Sequence, residues 1–178
     1  MDFKIEKAVI DDLDEILELY SHARAFMKEN GNESQWGLPS PGKPLWPSKE
    51  SVIEKINSGV QFNCVAQIDG IKKICATFAY IIGKESVYDT LYDGSWPDDD
   101  EYGVIHALAS FGIIKGAATY SINWALTQCP NMRIDTHPDN KPMQALLKKN
   151  GFTYAGKIWM ESVQNDAKMR IAFWKKVK

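Results

Sequence analysis

Proton transfer and anion binding each need particular side chains or backbone groups, and this chain offers candidates for both. His106 lies in the apolar run Tyr102–Ser110, and an imidazole suits proton transfer near neutral pH. By the two-residue period of a strand, His106 shares a face with Val104 and Leu108. It points either into the core, as a hydrogen-bonded histidine, or into a cleft. Glu101 closes the run Asp98-Asp99-Asp100-Glu101, just before the same strand. It reads either as a base at the strand's mouth or as a solvated charge. His137, in Thr136-His137-Pro138, reads as structural or ligand-adjacent, and His22 as surface.

The stretch SFGIIKGAATYS, residues 110–121, holds no side chain that attacks or abstracts. It joins an apolar run to a helical one, and Gly116, Ala117 and Ala118 are small enough for close approach by a ligand. The first N–H groups of a helix lack internal partners, and the helix dipole adds positive potential there. Strand, tight loop and helix N-terminus together make an anion site, to which Lys115 adds a point charge. Neither the Walker A spacing nor G-x-G-x-x-G is present. Alone, the stretch reads more readily as a plain strand-to-helix turn.

The elements that position these groups follow from periodicity. Phe3–Val9 alternates as a half-buried strand. Asp11 or Asp12 is expected to cap a helix carrying the stripe Leu13, Ile16, Leu17, Tyr20 and Met27. Residues 30–47 form a loop containing Trp36, Leu38, Leu45 and Trp46, which either cap the core or line a ligand site. Ser48 caps a short helix that ends at Gly59. Gln61–Ile68 and Lys73–Ile82 are strands joined by an Asp69-Gly70 hairpin.

Residues 83–101 form a long insertion with seven acids, Glu85, Asp89, Asp93, Asp98, Asp99, Asp100 and Glu101. It is either a solvated loop or a negative rim that draws in a cation, with Tyr88, Tyr92 and Trp96 adding cation–π contacts. A helix over Thr119–Leu126, a strand over Met132–Thr136, a helix capped by Asp139 or Asn140, and strands over Phe152–Glu161 and Met169–Trp174 complete the chain. The order β-α-α-β-β-β-α-β-α-β-β is that of an α+β, mixed-sheet domain occupying residues 1–178 as one unit.

Composition narrows the function classes. The chain has 178 residues, net charge −2 and 44% hydrophobic residues. A chain of this size buries about 70% of the surface its unfolded form exposes. No basic stripe marks a nucleic-acid face, and no apolar run approaches the length of a membrane span. Cys64, Cys75 and Cys129 show no C-x-x-C spacing, which argues against zinc or disulfides and for buried thiols in a reducing cytosol. No metal site and a cytoplasmic location are expected.

Two motifs together resemble the GCN5-related N-acetyltransferase (GNAT) superfamily, whose members move an acyl group from acetyl-CoA to an amine. The superfamily's phosphate loop, Q/R-x-x-G-x-G/A, compares with Ile113-x-x-Gly116-x-Ala118. Its following helix, N-x-x-A-x-x-L-Y-x-K-x-G-F, compares with Asn140, Met143, Leu146, Leu147, Lys149, Gly151 and Phe152. The order of elements matches over nearly the whole chain. Gln35-Trp36 matches a pair found in small bacterial members.

The resemblance implies a mostly antiparallel, twisted sheet of about seven strands, helices on both faces, and a V-shaped splay between the fourth and fifth strands. It implies that acetyl-CoA lies along the fourth strand at Leu108, Ala109 and Ser110. Its diphosphate would meet Ile113, Ile114, Lys115, Gly116, Ala117, Ala118 and Thr119, with Asn140 and Lys149 also in contact. An amine acceptor would lie opposite, near Trp36 and Tyr80, with Glu101 or His106 as base and an N–H near Leu108 stabilising the oxyanion. A homodimer paired through C-terminal strands is also implied. Two positions depart from the pattern. Ile113 replaces a Gln or Arg phosphate contact. Leu147 replaces the Tyr that protonates the departing thiolate, leaving water, Tyr154 or an unprotonated thiolate for that step. Leu147 also keeps a second reading open, a catalytically idle acyl-CoA-binding module on the same fold.

Overall fold

The structure, a computed structural model, describes residues 2–33, 35, 36, 45–112, 114–160 and 169–178. Leu38, Ile113 and Glu161 lie outside the described residues. Among the described residues seven strands form a single sheet: β1 (Lys4–Lys7), β2 (Gln61–Ile68), β3 (Ile71–Ile82), β4 (Gly103–Ser110), β5 (Asn131–Thr136), β6 (Thr153–Trp159) and β7 (Met169–Lys176), in the order β1-β2-β3-β4-β5-β7-β6. Neighbours are antiparallel except β4 and β5, which are parallel. The α-helices of the described residues pack on it: α1 (Leu13–Glu29), α2 (Lys49–Asn57), α3 (Ala117–Gln128) and α4 (Lys141–Lys149).

Local chemistry explains the boundaries. Asp69 and Gly70 both take positive φ (52° and 77°), as a type I′ hairpin turn requires. This lets β3 start at Ile71, earlier than expected from the lysines that follow. Ser48 Oγ accepts from Ser51 N–H at 3.1 Å and caps α2. Asp12 does not cap α1: its carboxylate accepts from Val9 N–H at 3.0 Å and closes a 3-10 turn instead. α3 starts at Ala117, two residues before the expected Thr119, because Gly116 takes φ +100° and ends the loop there.

The two sheet faces bury different residues. Leu13, Ile16, Leu19 and Tyr20 of α1 and Val52 and Ile56 of α2 pack with Val65, Ile74 and Ala109. Ile122, Ala125 and Leu126 of α3 and Leu147 of α4 pack with Phe78, Tyr80, Ile105, Met132, Ile134 and Phe173. Each fully buried aliphatic or aromatic side chain stabilises by about 1.5–3 kcal/mol. Cys64, Cys75 and Cys129 are buried and free.

The insertion between β3 and β4 is a packed element. Tyr88, with Leu91 and Trp96 alongside, forms a separate cluster with Tyr102, Val104, Ala155, Ile158 and Ala172. Tyr92 exchanges backbone hydrogen bonds with Lys157 (2.8 and 2.7 Å), covering part of the β6 edge that would otherwise be unpaired. Gly94 runs so close to Ala155 that a Cβ there would collide with its carbonyl.

Candidate active site

The sheet opens between its fourth and fifth strands. Among the described residues β4 pairs with β5 only at Gly103↔Met132 and Val104↔Arg133. Tight packing holds this closed end together: a Cβ on Gly103 would stand 2.5 Å from Tyr80 Oη and 2.9 Å from Met132 Sδ. Beyond it, β4 stays paired with β3 as far as Ser110↔Ala76, while among the described residues its other edge has no strand partner. Leu108, Ala109 and Ser110 lie along that edge, which presents backbone donors and acceptors to an extended, amide-bearing ligand.

A bulge interrupts β4 where the opening begins. Ala79 pairs with His106 but Thr77 pairs with Ala109, and Ala107 takes φ +53°. Alanine in that region is uncommon and costs free energy, and bulges mark sites where ladder groups are turned away from their neighbours. The bulge also corrects the expected period. Leu108 packs with the α3–α4 cluster beside Ile105, not on the face of Val104 and His106.

The loop after β4 meets the first turn of α3. Gly116 has no side chain to cap that helix, and among the described residues no side-chain cap hydrogen bond is made there. The first helical bond is Tyr120 N–H to Gly116 O at 2.8 Å. The N–H groups of Ala117, Ala118 and Thr119 are therefore without helical partners. Lys115 and Gly116 are exposed, Ile114 is half-buried, and Ala117 is buried. Asn150 Nδ2 reaches Thr119 Oγ1 at 3.3 Å, so the last turn of α4, with exposed Lys148 and Lys149, ends beside the first turn of α3. This donor set fits a diphosphate.

Asn140 stands at the other end of α4. Its Oδ1 accepts from Met143 N–H (3.1 Å), and its Nδ2 donates to Gln35 Oε1 (2.8 Å), which also accepts from Asn32 Nδ2 (2.8 Å). Asn140 thus joins α4 to the segment following α1. His137 is 3% exposed, and its Nδ1 accepts from Asp139 N–H at 3.2 Å.

Polar groups on the insertion side surround the start of the opening. Glu85 Oε1 lies 3.2 Å from His106 Nε2, and this contact holds the Glu85 carboxyl below the usual carboxylate range. Tyr88 Oη donates to Asp135 Oδ1 at 2.7 Å, and Arg170 Nε lies 3.8 Å from Asp135 Oδ2. Burial, with the Asp135 carboxylate beside it, pushes the Tyr88 hydroxyl well above its ordinary pKa. Sequence reasoning did not single out Glu85, Asp135 or Arg170. A usable signal was present in β5, whose Arg133 and Asp135 alternate with Met132 and Ile134.

Other expected site residues lie elsewhere. Glu101 is exposed and precedes the closed end, where its carbonyl accepts from Asn131 Nδ2 at 3.3 Å, whereas His106 stands where the opening begins. Trp36 is 7% exposed, edge-on to Tyr20 at 5.6 Å and tilted against Trp46 at 5.7 Å, in the α1–α2 core. Tyr80 is 6% exposed and donates to Ala125 O at 3.2 Å beneath α3; burial raises its pKa, and it faces away from Glu85 and His106.

The acidic insertion is also largely compensated. Asp93 pairs with Lys157 (2.6 Å), and Asp98 and Asp100 with Lys176 (2.8 and 2.6 Å). Trp96 and Tyr102 offer their faces to Arg133 at 4.4 and 3.9 Å, so these rings hold an internal cation. Among the described residues, no group of three or more His, Cys, Asp or Glu could hold a metal ion, and no helix is long and apolar enough to cross a membrane.

A sheet splayed between parallel strands, with a loop and uncapped helix N-terminus at the mouth, defines the GNAT-type acyltransferase fold. No family model and no curated protein matches the chain. Solved structures do. A GNAT-family acetyltransferase from Streptococcus agalactiae is 28% identical, with TM-score 0.82, covering 99% of this chain and 96% of its own. GNAT-family acetyltransferases from Bacillus cereus (18% identical, TM-score 0.58, 100% of both chains) and Listeria monocytogenes (15%, TM-score 0.59, 98% and 95%) share the fold. The GNAT superfamily resemblance read from the sequence is supported by these structures.

Proposed function

We propose that the chain is an acetyl-CoA-dependent N-acetyltransferase, moving an acetyl group to a primary amine of a small molecule or peptide by direct attack in a ternary complex. One observation carries this reading: the free edge of β4 begins at a bulge, and Gly116, six residues past the end of that strand, opens the uncapped N-terminus of α3. The edge suits the amide-rich arm of acetyl-CoA, and the helix N-terminus suits its diphosphate.

In this reading Leu108, Ala109 and Ser110 bind the arm through their backbone. Lys115 to Thr119 hold the diphosphate, with Lys149 as a nearby cation; Ile113 lies outside the described residues. The thioester supplies an activated acetyl carbon. The unpaired backbone at the bulge offers N–H groups to the oxyanion, and their fixed geometry requires little reorganisation during the reaction. His106 stands at the same level and takes the amine proton.

The test is thermal and chemical. Acetyl-CoA at millimolar concentration should raise the melting temperature, since a ligand of the folded state stabilises it. Free CoA should appear with at least one amine of a broad panel. No change in melting temperature and no CoA release would overturn the reading. Leu147 favours a second reading: it is fully buried among α3 and β5 residues and puts no hydroxyl at the superfamily's acid position. An idle acyl-CoA-binding module would show the thermal shift without turnover of any amine.

A further inference from the structure

The insertion brings a carboxylate against the imidazole at the start of the opening, and both partners stand on fixed backbone. Glu85 N–H donates to Tyr102 Oη at 3.0 Å, and Glu85 O accepts from Tyr88 N–H at 2.9 Å. Gly83 N–H adds a bond to Tyr102 O at 3.0 Å. Tyr88 and Tyr102 are themselves buried. His106 is held by pairing with Ala79, one residue before the bulge. The two side chains are 24% and 27% exposed, sheltered yet within reach of a ligand in the cleft. A contact between two such anchored groups loses less side-chain entropy than a surface ion pair does.

We propose that Glu85 is a positioning residue that sets His106 as the proton acceptor; this rests on the acetyl-transfer reading above. An ionised carboxylate only accepts hydrogen bonds. At this contact Nε2 therefore carries the hydrogen, and Nδ1 carries the lone pair. The substrate amine's nitrogen forms a C–N bond to the acetyl carbon, and the C–S pair leaves on sulfur as the CoA thiolate. The amine proton goes to Nδ1. The resulting imidazolium keeps its Nε2–H on the Glu85 oxygen and then releases the Nδ1 proton to solvent. The thiolate takes a proton from solvent, which requires no hydroxyl at Leu147.

Several neighbouring charged and titratable groups are engaged with other partners, while Lys84 adjoins Glu85 in the chain. Asp135 accepts from Tyr88 and faces Arg170. Tyr102 Oη holds the Glu85 backbone. Arg133 donates to Asp98 O at 2.6 Å. Glu85 is thus the carboxylate that the described geometry sets against His106.

The experiment combines ring-nitrogen NMR of His106 with steady-state acetylation by wild type, E85A, E85D and E85Q. In wild type the neutral ring should be the Nε2–H tautomer, and this preference should fade in E85A and E85D. Both variants should lose about 10–100-fold in kcat, the range of a misplaced general base, with KM for acetyl-CoA unchanged. E85Q keeps an accepting Oε1 at the same reach and should restore the tautomer and most of the rate. Circular dichroism and the acetyl-CoA thermal shift report folding; if E85A unfolds, E85D against E85Q decides. An Nδ1–H tautomer in wild type, or full kcat in E85D, overturns the proposal while leaving acetyl transfer standing. Absence of wild-type turnover with every amine, with the thermal shift intact, overturns the acetyl-transfer reading and the catalytic role with it.

Discussion

The two sides of the opening are built from different materials. The anion end uses main chain: Gly116 at φ +100°, the first N–H groups of α3, and small residues that leave space. The insertion side uses side chains: Glu85 with His106, and Tyr88 with Asp135 and Arg170. A backbone site requires particular conformations and the absence of bulk. A side-chain site requires several elements to converge. The first should therefore break by added volume, the second by loss of single atoms.

The largest effect expected is steric. Ala118→Glu places a carboxylate over the uncapped N–H groups and should abolish the acetyl-CoA thermal shift, a loss of at least about 100-fold in affinity, while far-ultraviolet circular dichroism stays unchanged. Gly116→Glu should do the same with an added cost of about 1–2 kcal/mol, because a side chain must enter the left-handed region. Normal acetyl-CoA affinity in both variants would show that the diphosphate does not sit there, and the contrast between the two sides would collapse.

Next comes Tyr88→Phe. It removes the donor to Asp135 and leaves that carboxylate, nearly buried beside Arg170, without one partner. A buried acceptor deprived of its donor costs about 1–3 kcal/mol, so the melting temperature should fall by several degrees. Acetyl-CoA affinity should hold, since the loss lies on the insertion side. An unchanged melting temperature would show that the bond contributes nothing net.

That contrast also explains what could be read in advance. The Gly116–Ala118 stretch, the Asn140 cap and the order of elements are local, and a strand followed by small residues and a helix leaves a linear trace. The start of α3 was misplaced because a positive φ at Gly116 is a conformation, which composition does not report. Glu85 left no trace of its own among seven acids, since its role depends on Tyr102 fixing a loop far along the chain. Trp36 and Tyr80 are ambiguous in sequence because large aromatics beside a site either line it or support it, and only packing tells which. The His106 face was half legible: its side agrees with Val104, but the Ala107 bulge moved Leu108 to the opposite side.

Single lysines at the anion end should matter less. Lys115→Ala and Lys149→Ala should each weaken acetyl-CoA binding by about 2–5-fold, since exposed charges contribute under about 1 kcal/mol. The effect should vanish at high salt, where the screening length falls to about 3 Å. A larger, salt-independent loss would mean that side chains, rather than backbone, dominate this end as well.

The smallest effect tests the insertion side through pH. The His106 hydrogen bond favours the ionised Glu85, so its folded pKa lies below its unfolded one. Stability from this group is complete above the unfolded value of about 4.3 and is lost as pH falls through the lower folded value. The gap in unfolding free energy between wild type and E85Q should therefore shrink between about pH 5 and pH 3. The pair is partly exposed, which limits the change to under about 1 kcal/mol. Urea titrations across that range measure it, with H106A as the control. In H106A the carboxyl loses its largest stabilising partner, so substituting Glu85 in that background should leave a smaller pH-dependent gap. An equal gap in both backgrounds would mean that His106 does not hold Glu85 in solution, and the contrast between a side-chain site and a backbone site would lose its central contact.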